Sequence, residues 1–275
     1  MQSMPFPVTQ DQPIGGPRTW PGQARPARAE RMSSPKRLAR IAGLLYVINA
    51  IVAGFAFGFV ATKMYAAGDA ATTAANVLAN PGLVRVGVVA DLFQATEWIF
   101  LVMALYLLLR HVSTDVARVM VVLVAVGAAI TCLNDVFEFV AVRVATDGSY
   151  AAALGVAGSN ALVLVLFDLQ HYGFLIAQIF FGLWLLPLGY LAYRSAMFPK
   201  ALGVALIVAG ACYLVDTVAL FLVPDFGKQI NTFLVIPPTI GEMWMALYLL
   251  VKGVRLVRPA DREPIGAAPA AVVTA

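Results

Sequence analysis

Of the 275 residues of this chain, 61% are hydrophobic and only 12% charged, about half the charged share of a soluble domain, so a soluble globular fold is excluded and a polytopic membrane protein is expected. The formal charge of +4 is split: residues 1–40 and 252–275 hold eleven Lys/Arg against four Asp/Glu, whereas residues 41–251 hold eight against eleven. Basic ends beside apolar runs suit anionic lipid and exclude a nucleic-acid partner.

Residues 1–37 are expected to form a disordered cytoplasmic tail. Seven prolines fall in the first 35 residues, with no apolar core of a signal peptide. Six apolar stretches follow, at 41–61, 84–109, 117–141, 161 or 174 to 193, 201–223 and 231–251. Each reaches the roughly 20 residues that cross a hydrocarbon core as a helix. None alternates like a barrel strand, so the backbone must satisfy itself helically. The fold class is therefore all-α: a polytopic transmembrane helical bundle of six spans within residues 38–252, followed by a cytoplasmic C-terminal tail over 253–275.

Local signals punctuate these spans. Gly54-Phe-Ala-Phe-Gly58 in the first reads as a close helix crossing inside the bundle. Asn80-Pro81-Gly82 turns the chain into the second span, and Pro187 predicts a kink in the fourth. Phe198-Pro199-Lys200 opens the fifth and Pro224-Asp225 closes it. Placing both termini in the cytoplasm leaves fifteen basic residues inside and only Lys63, Arg85, Arg143 and Lys228 outside, which fits a multi-pass protein of the cytoplasmic membrane. Tyr106, Tyr190 and Tyr248 each precede a basic residue (Arg110, Arg194, Lys252) by four positions, as interfacial anchors do.

The anomalous residues are acids. Asp91, Glu97, Asp135, Glu138, Asp168, Asp216 and Glu242 interrupt the apolar spans or their outer ends, accompanied by Gln94, Asn134, His171 and Gln178. A carboxylate at the centre of a span costs about 2.5 to 3.5 kcal/mol on insertion scales, so these groups must face the bundle interior. Counted from the cytoplasmic basic residue of each helix, they lie from the midplane outward. Spacings of three, four or seven put Asp91, Gln94 and Glu97 on shared or adjoining faces, and likewise Asn134, Asp135 and Glu138. The expected result is an acid-lined cavity open to the outer side and floored by Glu97 and Glu242. Asp91 and Glu138 are also close enough to the outer boundary to be interface or cap residues. Asp168 and His171 are best placed at or above that edge, because 174–193 already spans the bilayer.

Catalytic patterns are weak. Two histidines cannot build a three-histidine zinc centre, no H-E-x-x-H is present, and Cys132 and Cys212 are too few for a disulfide framework or structural zinc site. Ser159, Asp168 and His171 stand in triad order without a nucleophile elbow. No metal and no cofactor is expected.

The run Ala39-Arg-Ile-Ala-Gly43-Leu-Leu-Tyr46, the stretch Ala79-Asn-Pro81 with Leu83-Val-Arg-Val-Gly87 and Asp91-Leu92, the run Phe180-Phe-Gly-Leu-Trp-Leu-Leu-Pro-Leu-Gly-Tyr190 continuing through Phe198-Pro-Lys-Ala-Leu-Gly203, and Gly210-Ala-Cys-Tyr-Leu-Val-Asp216 together resemble a bacterial multi-pass membrane family, domain of unknown function 4386, over roughly residues 37–252. The resemblance implies a helical inner-membrane protein and carries no activity.

Three functional readings remain open. The first is binding or transport of a small solute or cation by Glu97, Asp135, Asp216 and Glu242, with Asp91 and Glu138 in the same cavity. The second is a membrane-embedded enzyme with a carboxylate and His171 at the outer face. The third is a scaffold whose basic tail recruits a partner. The lipid bilayer is the one partner all three require.

Overall fold

The computed structural model describes residues 35–255 of the chain. The expected tails, up to residue 34 and beyond residue 255, lie outside the described residues. Regular structure among the described residues is helical throughout. Seven helices follow one another: α1 Pro35–Met64, α2 Ala70–Ala79, α3 Pro81–Leu109, α4 Thr114–Thr146, α5 Gly148–Arg194, α6 Lys200–Leu222 and α7 Pro224–Lys252. All but α2 are long and apolar enough to span a membrane, which makes lipid the solvent of the bundle.

The helix ends follow from the sequence. Asp69 caps α2 by accepting the Thr72 N–H at 2.9 Å, and this exposed carboxyl is held below the usual carboxylate range by its bonds to Thr72. Ser113 caps α4, and Asp147 caps α5 through the Ser149 N–H at 3.0 Å. Pro81 and Pro224 occupy the first turns of α3 and α7, where no N–H is needed.

Consecutive spans are neighbours in space: α1 packs on α3, α3 on α4, α4 on α5, α5 on α6 and α6 on α7, and α7 returns to α1. The six spans therefore close a ring. Both described chain ends lie on one side of it, since Gly253 stands against Lys36 and the Arg255 N–H donates to the Met197 carbonyl at 3.2 Å. We call this the near side. On it Arg110 lies over the Tyr106 ring at 5.9 Å and Lys252 over Tyr248 at 5.9 Å, as the spacing predicts, while the Tyr193 ring is taken by Lys200 at 5.5 Å.

Two apolar clusters fill the ring. The near-side cluster contains Leu101, Leu105, Met120, Trp184, Leu188 and Leu206, and the far-side one Val60, Val77, Val84, Val142 and Phe167. The polar side chains of the spans lie between them, so in α3 the order runs Val84, then Asp91 to Glu97, then Leu101.

Three local expectations are corrected. The helical stretch that carries the fourth predicted span begins at Gly148 and breaks at Gly155, where the backbone leaves the helical region (φ 72°, ψ 162°), while Pro187 keeps helical angles. A residue without Cβ takes that left-handed angle at little cost. Gly54 and Gly58 make no close crossing, since a Cβ at either would meet nothing within 4 Å. They belong to a π-helical segment, Gly54–Ala61. The close crossing is elsewhere: Gly182 and Gly189 of α5 meet Gly210 and Gly203 of α6, backbone against backbone.

Candidate functional site

A cavity of about 570 Å³ lies inside the ring, bounded by α1, α3, α5, α6 and α7. Its floor is built around Glu242 of α7. Tyr46 of α1 donates its hydroxyl to Glu242 Oε2 at 2.8 Å, and Tyr213 of α6 donates to Oε1 at 3.1 Å. Both carboxyl oxygens are thus oriented by phenols from two other helices. Trp184 stands beside this floor, tilted against Tyr46 with ring centroids 5.9 Å apart and meeting Trp98 edge-on at 5.7 Å.

One turn along α1, Asn49 joins the cavity to α3. Its Nδ2 donates to Glu97 Oε2 at 2.9 Å, and its Oδ1 accepts from Gln94 Nε2 at 3.2 Å. Gln94 and Asn49 face the cavity, whereas Glu97 lies behind them and does not line it. Glu97 Oε1 is buried without a hydrogen-bond partner among the described residues.

The remaining acids stand apart. Asp216 is 5% exposed and is enclosed by amides: Gln178 of α5 donates to Oδ2 at 2.8 Å, and Asn231 of α7 to both oxygens at 3.0 and 2.9 Å. Asp91 of α3 faces Asp135 and Glu138 of α4, close enough for the three to interact electrostatically. All three are at most 3% exposed, and both Asp91 and Glu138 lie well inside their helices and are not caps. Asp91 Oδ1 and Asp135 Oδ2 have no hydrogen-bond partner among the described residues. Asn134 bonds the Gln170 carbonyl of α5 at 2.6 Å in place of an acid.

Of the six carboxylates expected to share one hollow, then, Glu242 alone lines the cavity. Glu97 reaches it through Asn49, and the other four occupy two separate sites. The physical reason is helical phase: residues three or four apart share a face, but that face is set against whichever neighbour the ring supplies. Among the described residues no group of three or more His, Cys, Asp or Glu side chains is arranged to hold a metal ion.

Asp168 and His171 form a distinct far-side cluster. Tyr65, just past the end of α1, donates to Asp168 Oδ1 at 2.5 Å and packs on Phe167 and His171. The aspartate is partly exposed and the histidine exposed. Asp168→Ala is expected to lower stability by about 1 kcal/mol, a small drop in melting temperature in detergent, and His171→Ala to leave it unchanged. A loss of several kcal/mol for His171→Ala would contradict this placement.

Tyr46, Asn49, Tyr213 and Asn231 are site residues that sequence reasoning did not single out. Asn49 carried a usable signal, being a lone amide within the apolar run from Leu44 to Ala61. Tyr213 lay three residues before Asp216 in a motif already noted. Nothing local marks Tyr46 as the partner of a residue 196 positions away.

The profile of the family described as Domain of unknown function (DUF4386) matches residues 41–253 of this chain. A protein of Archaeoglobus fulgidus, named "Uncharacterized protein", is 28% identical over 155 residues, covering 56% of this chain and 75% of that relative. No solved structure matches.

Proposed function

The chain belongs to the DUF4386 family, and from that premise we propose that it binds a small solute or cation in the cavity above Glu242 and carries it across the membrane. The near side is then cytoplasmic, as the distribution of Lys and Arg requires, and the membrane is the cytoplasmic one. The observation that carries the reading is a roomy cavity in the middle of the spans whose floor is a carboxylate held by two phenols. An ionisable group at that depth costs several kcal/mol on insertion, and the ring keeps it beside empty space and not sealed in apolar packing. Glu97 with Asn49 forms a second polar step one turn away, which suits a relay between the floor and α3.

Trp98 and Trp184 line the cavity and report on its occupant. Titrating the purified protein in nanodiscs with tetramethylammonium is expected to give a saturable change in indole emission. Glu242→Gln should weaken the half-saturation by about tenfold, the scale of one charge-assisted contact. An emission change that never saturates, or an unaltered titration in Glu242→Gln, would refute the reading.

A further inference from the structure

Resting on that reading, we propose that the occupant is a lipophilic cation, an ammonium head on an apolar tail, and that it is admitted from the bilayer through a gap between the far-side halves of α1 and α7. Three observations converge on this assignment.

The first is the gap itself. Helix α1 packs on α7 through the two later pieces of α7, Ile236–Leu247 and Tyr248–Lys252, whereas the π-helical segment Gly54–Ala61 packs on α3 and forms no packed interface with α7. Gly54 and Gly58 of α1 and Val235 of α7 line the cavity and are exposed. Between two spans of a ring, such an opening meets acyl chains.

The second is irregular backbone on the rim. Helix α1 widens to a π-helix at Gly54–Ala61. In α7, Pro237 and Pro238 supply no N–H to the preceding turn, although Val235 before them keeps helical angles (φ −75°, ψ −19°). Backbone departures at membrane depth are tolerated where they border a cavity, and discontinuous spans mark binding sites in transporters. The π-helical segment is not explained by close packing, since a Cβ on Gly54 or Gly58 would meet nothing within 4 Å.

The third is the chemistry of the interior. The walls are largely aromatic and aliphatic, with Phe57, Phe174 and Phe181 toward the far side and Trp98 and Trp184 toward the floor. Glu242 is the one acid among the described lining residues, and none of them is Lys, Arg or His. A negative floor without a resident cation beneath π faces matches an ammonium group, which ring quadrupoles also attract. The apolar walls match its tail. A fatty acid would set carboxylate against carboxylate, and a fully hydrated ion would leave the walls wetted to no benefit.

The test uses the full chain in nanodiscs with Trp20 and Trp244 replaced by Phe, so that only Trp98 and Trp184 emit. Bromododecylammonium is expected to quench them saturably, at concentrations about tenfold below those needed for bromododecanoate of the same chain length. Glu242→Gln, or Tyr213→Phe should the first variant misfold, is expected to erase that preference. Gly54→Leu with Gly58→Leu should slow quenching by bromododecylammonium, because the leucines narrow the rim between α1 and α7. Equal quenching by the two bromo-amphiphiles, or an unimpeded rate in the leucine variant, would overturn the proposal. If tetramethylammonium alone perturbs the indoles, the lateral route and the lipophilic class fail while solute binding stands. If neither does, both fail.

Discussion

Gly203→Ala is expected to destabilise the bundle by about 3 kcal/mol, the upper end of the usual cost of overpacking, and to do so without touching the cavity. A Cβ at Gly203 would stand 2.7 Å from the Gly189 carbonyl oxygen and 2.8 Å from the Tyr193 amide nitrogen, atoms of a helix backbone that cannot rotate away. The contact is reciprocal, for a Cβ at Gly189 would stand 2.7 Å from the Gly203 oxygen. One seam further along, Gly182 and Gly210 repeat it at 2.8 and 2.6 Å. In lipid, close backbone approach through small residues substitutes for the hydrophobic drive that packs helices in water. Thermal melting in detergent should show a clear fall for Gly203→Ala, and Gly182→Ala with Gly210→Ala should cost less than the sum of the single changes because they open the same contact. Gly54→Ala is the control: with nothing within 4 Å, its melting temperature should hold or rise slightly. Equal losses at Gly54 and Gly203 would mean that the α5–α6 seam is not the tight crossing.

The second large effect is expected at Asp216. Asp216→Leu strands the Gln178 and Asn231 amides at membrane depth, removing three hydrogen bonds that join α5, α6 and α7. A buried donor left without an acceptor costs about 1 to 3 kcal/mol, so a loss of about 3 kcal/mol is expected for the two together. Asp216→Asn keeps one acceptor oxygen and should lose about 1 kcal/mol. This pair of variants separates two roles. If Asp216 is a joint between helices, stability falls in the order Leu, then Asn, and tetramethylammonium titration of the Asn variant is unchanged. A stable Asn variant with abolished titration would instead place Asp216 in the solute path with Glu242.

These two predictions show why the residues that carry the family resemblance are informative about architecture and silent about chemistry. Gly182, Gly189, Gly203 and Gly210 all lie in those runs, and all four lie in the α5–α6 seam. Gly43 belongs to the same set, and a Cβ there would collide with the backbone of Leu249 and Leu250 in α7. Tyr46, Tyr213 and Asp216 also fall in the matched runs and anchor polar joints. The one cavity carboxylate, Glu242, falls outside them.

Legibility differed by element. The short helix α2 escaped notice because ten residues without spanning length leave little periodic signal, although Asp69 and Thr72 supply an ordinary cap. The Gly54/Gly58 pair was misread because small residues four positions apart permit close contact without requiring it. What selects between contact and void is the partner helix, and α7 forms no packed interface with the π-helical segment.

The sequence by itself determined that the chain lives in lipid, that six helices can cross it, and that seven acids are out of place there. Each of these follows from transfer free energies that add residue by residue along a helix, so no knowledge of neighbours is needed. Only the tertiary structure decided that Glu242 meets Tyr46 and Tyr213 beside a void, that Asp216 is enclosed by amides, and that Asp91 faces Asp135 and Glu138. Such pairings join positions tens to nearly two hundred residues apart, and they depend on which face each helix turns to its neighbour, a choice made by glycine seams and helix breaks acting across the whole ring.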